Sequence, residues 1–72
     1  MEASLVKKVL EAALLAAREP LTPLELRKMF DEELAPETVR KLLDELREEW
    51  AERPVELIQL ASGWRFRTRA EY

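Results

Sequence analysis

Three helical patterns followed by a strand pattern with a single glycine predict a mainly α fold that ends in a small β-hairpin. Apolar residues recur at helical spacing in residues 4–19, 23–30 and 36–50, and they alternate at a period of two in residues 64–69. The order helix, short helix, long helix, hairpin is that of a winged helix-turn-helix, in which the hairpin is the wing. We therefore predict one winged-helix domain over residues 1–72, with three helices plus the wing.

The first helix has apolar residues on two adjoining arcs. One stripe at helical spacing is expected to face the core: Val6, Val9, Leu10, Ala13 and Ala17. Ser4 is the expected N-cap, and Leu14 is expected at the edge of the stripe. The second arc consists of the candidate self-association residues Leu5, Ala12, Leu15 and Ala16. Two interpretations remain open, because either the rest of the domain covers both arcs or the second arc forms a subunit contact.

The stretch "REPLTPLEL" in residues 18–26 predicts a sharp break and the start of a second helix. Thr22 and Glu25 have the spacing of a capping box, in which each side chain binds a free backbone amide of the other residue. Pro23 suits the first helical position, where its missing N–H costs nothing. Leu21 and Leu26 form the expected hydrophobic staple. The break is thus predicted to fix the angle at which a helix over residues 23–30 leaves the first one.

The third helix is predicted to begin at Pro36 and to be the longest and most regular. Its apolar stripe spans three turns and consists of Val39, Leu42, Leu43, Leu46 and Trp50. After this helix, residues 61–63 (Ala-Ser-Gly) predict the turn of a hairpin. Side chains then alternate, so that Trp64, Phe66 and Thr68 face one way and Arg65, Arg67 and Arg69 face the other. Both tryptophans are expected in the core beneath the wing.

Composition argues against catalysis and against metal or cofactor binding. The chain has no histidine and no cysteine, which removes the commonest general base, thiolate ligands and disulfides. Adjacent acids, residues 31–33 and residues 48–49, are interpreted as solvated surface, since they lack the shared desolvated site that acid–base work needs. We predict no enzyme activity and no cofactor. A core this small usually needs reinforcement, and association with another chain is what remains.

Charge argues against strong nucleic-acid binding. The net charge is −3, and residues 1–54 hold 13 acids and nine bases. The weak candidates for DNA contact are Arg40 and Lys41 on the third helix and Arg65, Arg67 and Arg69 on the wing. Pairing of the wing arginines with acids of the third helix or of a neighbour is the more favoured interpretation. The longest apolar run, Ala12–Ala17, is too short to cross a bilayer, and we predict a soluble, cytoplasmic protein without membrane contact.

The two ends of the chain together resemble the bacterial segregation and condensation protein B family. The similar stretches are "VLEAALLAAREPLTPLEL" in residues 9–26 and "VELIQLASGWRFRTRAEY" in residues 55–72. The first stretch, joined at this distance to the "GWRFRT" hairpin, carries the resemblance, whereas the middle is a generic helix. The short connection "DEELAPE" between the second and third helices departs from the family, which often has a longer or glycine-bearing turn there.

The resemblance implies a non-enzymatic adaptor with two winged-helix domains, of which this chain is the N-terminal one. Members dimerise and bind the kleisin, of the segregation and condensation protein A type, that bridges a structural-maintenance-of-chromosomes (SMC) ATPase. The implied role is chromosome condensation and segregation, with a cytoplasmic, nucleoid-associated location and little or no direct DNA contact. The alternative from the residues alone is a small winged-helix DNA-binding transcription regulator that uses the wing arginines.

Overall fold

The predicted winged-helix arrangement is confirmed in the computed structural model, which describes residues 2–30 and 33–72. Within these residues, helices α1 (Ala3–Ala16), α2 (Pro23–Lys28) and α3 (Pro36–Glu49) precede strands β1 (Val55–Leu60) and β2 (Gly63–Thr68). Of the predicted acidic surface in residues 31–33, Asp31 and Glu32 lie outside the described residues, and Glu33 is exposed. No helix in the described part of the chain is long and apolar enough to cross a membrane.

Helix α1 faces the core with the predicted stripe, but the buried side is shifted toward Leu14. Val6, Leu10 and Leu14 are buried, so Leu14 is part of the core and not its edge. These residues are four apart and share one face of the helix, whereas Val9 of the predicted stripe is half-buried. The prediction of Ser4 as N-cap is also wrong. Glu2 holds that position without a side-chain cap, and the Ser4 hydroxyl donates instead to Glu2 Oε1 at 2.6 Å.

The predicted capping box at the start of α2 is confirmed. The backbone N–H of Thr22 donates to Glu25 Oε1 at 2.9 Å, and the backbone N–H of Glu25 donates to Thr22 Oγ1 at 3.1 Å. Pro23 lies at the first helical position, and Leu26 is fully buried. The helix ends at Lys28, two residues before the predicted residue 30. The next two residues form a turn, in which the backbone N–H groups of Met29 and Phe30 donate to carbonyls of α2.

Helix α3 begins at Pro36 as predicted and contributes most of the core. Its buried residues are Val39, Leu42, Leu43 and Leu46. The two tryptophans differ, because Trp64 is buried while Trp50 is only half-buried. Trp50 packs against Phe66 with ring centroids 4.8 Å apart and donates its Nε1–H to Glu11 Oε1 at 2.7 Å. Trp50 therefore joins α1, α3 and the wing at the border of the core.

The wing is a two-stranded antiparallel hairpin with a two-residue turn, Ala61–Ser62. The predicted turn glycine, Gly63, is instead the first residue of β2 and has a φ of +133°. A Cβ atom at Gly63 would lie 2.6 Å from the carbonyl carbon of Leu21, so this close approach requires glycine. Leu21 and Trp64 exchange both backbone hydrogen bonds, at 2.9 and 2.8 Å. The segment before α2 is thus joined to β2 by an isolated antiparallel β-bridge.

Candidate protein-interaction surface

The outer face of α1, formed by Leu5, Ala12, Leu15 and Ala16, is exposed to solvent. Leu5 and Leu15 are each 50% exposed. Ala12 is about 200° around the helix from the buried Leu10, because each residue turns an α-helix by about 100°. Of the two interpretations that the pattern left open, the structure excludes the covering of both arcs by the rest of the described domain. Exposed apolar side chains that share one side of a helix are typical of an interface.

A charged seam fixes the opposite flank of α1 against α3. Lys7 donates to Glu45 Oε1 at 3.3 Å and also to Glu49 Oε2. The hydrogen bond that Lys7 donates to the Glu49 carboxylate is the main cause that raises the pKa of Lys7 above its ordinary value, and the bond to Glu45 adds to it. Beside this seam, an open cavity of about 310 Å³ is lined by Ser4, Lys7, Lys8, Glu11, Leu46, Glu49 and Arg53. The burial of Val6, Leu10 and Leu14 determines which side of α1 faces outward, and these ion pairs lie beside that buried side.

The solvent side of α3 is a poor surface for the major groove of DNA. Arg40 and Lys41 are exposed as expected, but Glu37 and Glu48 are exposed on the same helix. Arg47 is engaged, since it donates to Asp44 at 2.8 Å and its guanidinium lies 5.3 Å from the ring centroid of Trp64. Residues 36–53 hold six acids and four bases. Phosphates would therefore meet carboxylates along this helix.

The three wing arginines have different surroundings, and two of them pair with an acid. Arg65 is exposed and makes no ion pair within residues 2–30 and 33–72. Arg67 Nε pairs with Glu56 at 3.0 Å, and Glu56 lies on β1 and not on α3 as the sequence suggested. Arg69 follows β2 and turns back toward α3, so it does not extend the exposed face of the wing.

The role of Arg69 was missed by sequence reasoning. Its guanidinium binds the backbone carbonyls at the C-terminal end of α3, with Nη2 at 2.9 Å from the oxygen of Trp50 and Nε at 2.6 Å from that of Arg53. Nη1 also pairs with Glu56 Oε1 at 3.2 Å. Cations favour the C-terminal end of a helix because carbonyls there lack partners. No local sequence pattern indicates this contact, because the whole wing separates Arg69 from α3 along the chain.

No group of three or more potential metal-ligating side chains occurs among the residues that the structure describes. The exposed candidates are the outer face of α1, the exposed Leu24 and Met29 at α2, and the Arg65 side of the wing. The outer face of α1 is the one that the sequence pattern singles out, and it carries the exposed Leu5 and Leu15 together with Ala12 and Ala16. The geometry therefore favours a site for protein association.

Comparison with known proteins places the chain in one family. The family model described as segregation and condensation complex subunit ScpB matches residues 8–72. The segregation and condensation protein B homolog of Coxiella burnetii is 46% identical over 68 residues, which cover 92% of this chain and 32% of that protein. The chain thus spans about a third of this relative's length.

Solved structures agree with this assignment. The crystal structure of ScpB from Mycobacterium tuberculosis superposes with a TM-score of 0.86 at 32% identity and covers 99% of this chain and 44% of that one. A conserved hypothetical protein from Chlorobium tepidum shares the fold, with a TM-score of 0.81 at 24% identity over 96% of this chain and 44% of that one. Family model, identity and fold agree, and the chain belongs to the segregation and condensation complex subunit ScpB family.

Proposed function

We propose that this chain is the winged-helix part of a non-enzymatic adaptor that dimerises and binds the kleisin of a condensin-like SMC complex. The proposed role of the whole protein is chromosome condensation and segregation, in the cytoplasm and at the nucleoid. We also propose that the chain is the N-terminal one of two winged-helix domains. In support, the matched relatives are longer than this chain, which spans 44% of ScpB from Mycobacterium tuberculosis.

The exposed outer face of α1 is the observation that carries the proposed self-association. A surface helix usually buries one apolar stripe and keeps a polar opposite face, and α1 instead has the half-exposed Leu5 and Leu15 there. Removing such surface from water is favourable by about 25 cal/mol per Å², from which the costs of association are subtracted. The mechanism is therefore assembly, with apolar burial as its driving force.

The size of this face sets the strength of the proposed contact. Helix α1 has 14 residues, which corresponds to a length of about 21 Å. A single helix face of that length falls well short of the roughly 800 Å² per partner of a standard interface. We therefore expect the isolated domain to dimerise weakly.

Sedimentation equilibrium of this chain over a range of concentrations tests the self-association. We expect the apparent mass to rise with concentration toward that of a dimer. Ala12→Glu places a charge in the centre of the outer face and should give a folded monomer. Ala61→Glu, at the exposed turn of the wing, is the matched control and should associate like the unmodified chain. If the Ala12→Glu variant dimerises like the unmodified chain, α1 is not part of the interface.

Kleisin binding is proposed from family membership. The test is size-exclusion chromatography of the full-length protein with the kleisin subunit of the same organism. We expect co-elution in one complex that survives moderate salt. Separate elution of the two folded proteins at micromolar concentration would contradict this part of the proposal without affecting self-association.

The alternative function, a DNA-binding transcription regulator, is favoured by one observation, the exposed Arg65 on the wing. A titration against duplex DNA at low and moderate salt separates the two functions, because phosphate binding weakens steeply with salt. We expect at most weak binding that disappears at moderate salt. Tight binding lost in an Arg65→Ala variant would favour the alternative.

A further inference from the structure

We propose that Arg69 is a positioning residue that anchors the connection to a following domain at the C-terminal end of α3, so that the two domains reorient as one body. The inference rests on the two-domain arrangement proposed above, and it adds how the second domain is held. More than half of ScpB from Mycobacterium tuberculosis lies outside the part that this chain covers, which is 44% of that protein.

The chain turns immediately after the wing. Strand β2 ends at Thr68, and the backbone N–H of Arg69 still donates to the carbonyl of Pro54 at 2.9 Å, one residue beyond the paired strands. The backbone N–H of Tyr72 then donates to the carbonyl of Arg69 at 3.0 Å, which closes a four-residue turn. Residues 69–72 thus leave the hairpin through a hydrogen-bonded turn and not as an extended tail.

The side chain of Arg69 ties this turn to the end of α3. Its guanidinium donates to the backbone carbonyls of Trp50, Ala51 and Arg53 and to the carboxylate of Glu56. Trp50 is the C-cap of α3, and carbonyls at the end of a helix lack the N–H partners of the helix interior. Hydrogen bonds from a charged donor are stronger than neutral ones. One guanidinium therefore connects the end of α3, the segment before β1 and the exit of the chain.

Arg67, two residues earlier on the same hairpin, lacks these contacts. Its only hydrogen bond from the side chain within residues 2–30 and 33–72 is the one to Glu56 Oε2 at 3.0 Å. The side chain of Arg67 is 54% exposed, whereas that of Arg69 is 21% exposed. A single exposed ion pair contributes little to order or stability. The anchoring contacts therefore belong to Arg69 and not to the wing arginines in general.

The composition of the connecting segment favours the same conclusion. Flexible connections between domains are typically rich in glycine, proline or serine. Residues 69–72 are Arg-Ala-Glu-Tyr and contain none of these. A segment at the border of a domain is poorly ordered unless contacts tie it down, and here both the backbone and the side chain of Arg69 do so.

An anchored exit has a consequence for binding. Relative motion is the ordinary behaviour of two domains joined by a flexible linker. Anchoring at Arg69 removes the first rotatable bonds of the connection and so limits the orientations that the following domain can take. Surfaces on the two domains are then arranged in advance, which lowers the ordering cost of binding a partner that contacts both.

Nuclear magnetic resonance of the full-length protein tests the inference through two readouts, backbone ¹⁵N relaxation and residual dipolar couplings. In the unmodified protein, we expect order parameters of about 0.85 for the amides of Ala70 and Glu71, the value of rigid backbone. We also expect the couplings of both domains to fit one alignment tensor. In the Arg69→Ala variant, these order parameters should fall below about 0.6, and each domain should need its own tensor.

Two further variants make the test specific. Arg67→Ala is the matched control, because it breaks one ion pair with Glu56 and no bond to α3, and it should keep both the order parameters and the common tensor. Arg69→Lys keeps the charge but not the planar fork of donors, so the order parameters should fall in this variant too. Circular dichroism shows which variants are folded, and Arg69→Lys supplies the comparison if Arg69→Ala does not fold.

The outcomes separate this inference from the proposed function. Flexible amides at Ala70 and Glu71 in the unmodified protein, or separate tensors for its two domains, would overturn the inference. A common tensor that persists in a folded Arg69 variant would overturn it as well. These results would leave kleisin binding and self-association in place, because both are measured separately. If the full-length protein contains no second folded domain, the two-domain part of the proposed function fails together with this inference.

Discussion

The guanidinium of Arg69 closes the end of α3 by donating to the backbone carbonyl of Trp50 at 2.9 Å. The same side chain binds the carbonyl of Arg53 and the carboxylate of Glu56. One residue after the wing thus satisfies carbonyls at the end of the helix before it. Arg69 was a candidate for DNA contact, but its guanidinium donates its hydrogen bonds to groups of the domain itself.

We predict that Arg69→Ala lowers the free energy of unfolding by about 1–3 kcal/mol, because carbonyls at the end of α3 lose their charged donor. Denaturant unfolding followed by circular dichroism measures this difference. Arg65→Ala is the matched control, and its effect should stay within about 0.5 kcal/mol, as expected for an exposed side chain. Equal stability of the two variants would contradict the structural role of Arg69.

Gly63→Ala should destabilise the domain strongly. The new Cβ would lie 2.6 Å from backbone atoms of Leu21, and the φ of +133° is unfavourable for alanine. Strained backbone positions cost about 1–3 kcal/mol each. Ser62→Ala, in the adjacent turn, is the control and should change stability little. Thermal unfolding of both variants checks this, and an unshifted transition in Gly63→Ala would show that the contact with Leu21 relaxes easily.

Acid should weaken the start of α2 through Glu25. The backbone N–H of Thr22 donates to its carboxylate and is the largest cause that lowers the pKa of Glu25 below 4.5. A lowered pKa in the folded state means that this stabilisation is complete above about pH 4.5 and is lost as pH falls through the folded pKa.

The variant Glu25→Gln keeps a hydrogen-bond acceptor but does not ionise. We expect the stability difference between the unmodified chain and this variant to be largest near neutral pH and to shrink below about pH 4.5. Denaturant midpoints measured across the range from neutral to acidic pH give this difference. A difference that is constant with pH would show that ionisation of Glu25 does not contribute.

A matched pair of leucines on α1 separates the core from the outer face. Leu10 is fully buried and Leu15 is half-exposed. Leu10→Ala should cost about 2–5 kcal/mol in unfolding free energy, because it leaves a cavity in the core. Leu15→Ala should leave the stability of the monomer nearly unchanged and weaken association in sedimentation experiments. Strong destabilisation by Leu15→Ala in dilute solution would mean that this side chain supports the fold.

Local chemistry explains which parts of the fold were predictable from sequence. The capping box of Thr22 and Glu25 and the first-turn Pro36 depend on residues within one helical turn, and both were predicted. Leu14 was misplaced because apolar residues surround much of α1, so the periodicity alone did not determine which side is buried. Its burial depends on α3 and the wing, which lie far along the chain.

The sequence predicts which residues form the outer face of α1, but it does not predict which charged side chains beside that face are engaged. The excess of apolar residues on α1 is visible in the amino-acid sequence, and it singles out Ala12 and its neighbours. The engagement of Lys7 by α3, which leaves Lys8 exposed beside Ala12, depends on the packing of two helices. The capping of α3 by Arg69 likewise depends on the path of the chain through the wing, which no local pattern records.

The backbone hydrogen bonds between Leu21 and Trp64 attach the wing to the segment that joins α1 and α2. Because the Leu21 position lies directly before the Thr22 cap, the wing supports the start of α2 as well as its own turn. A chimera that takes residues 55–68 alone from another family member would therefore replace the Trp64 side of this pairing and keep the Leu21 side of the host. Transplanted wings should retain the host's stability when the residues around Leu21 are transferred with them.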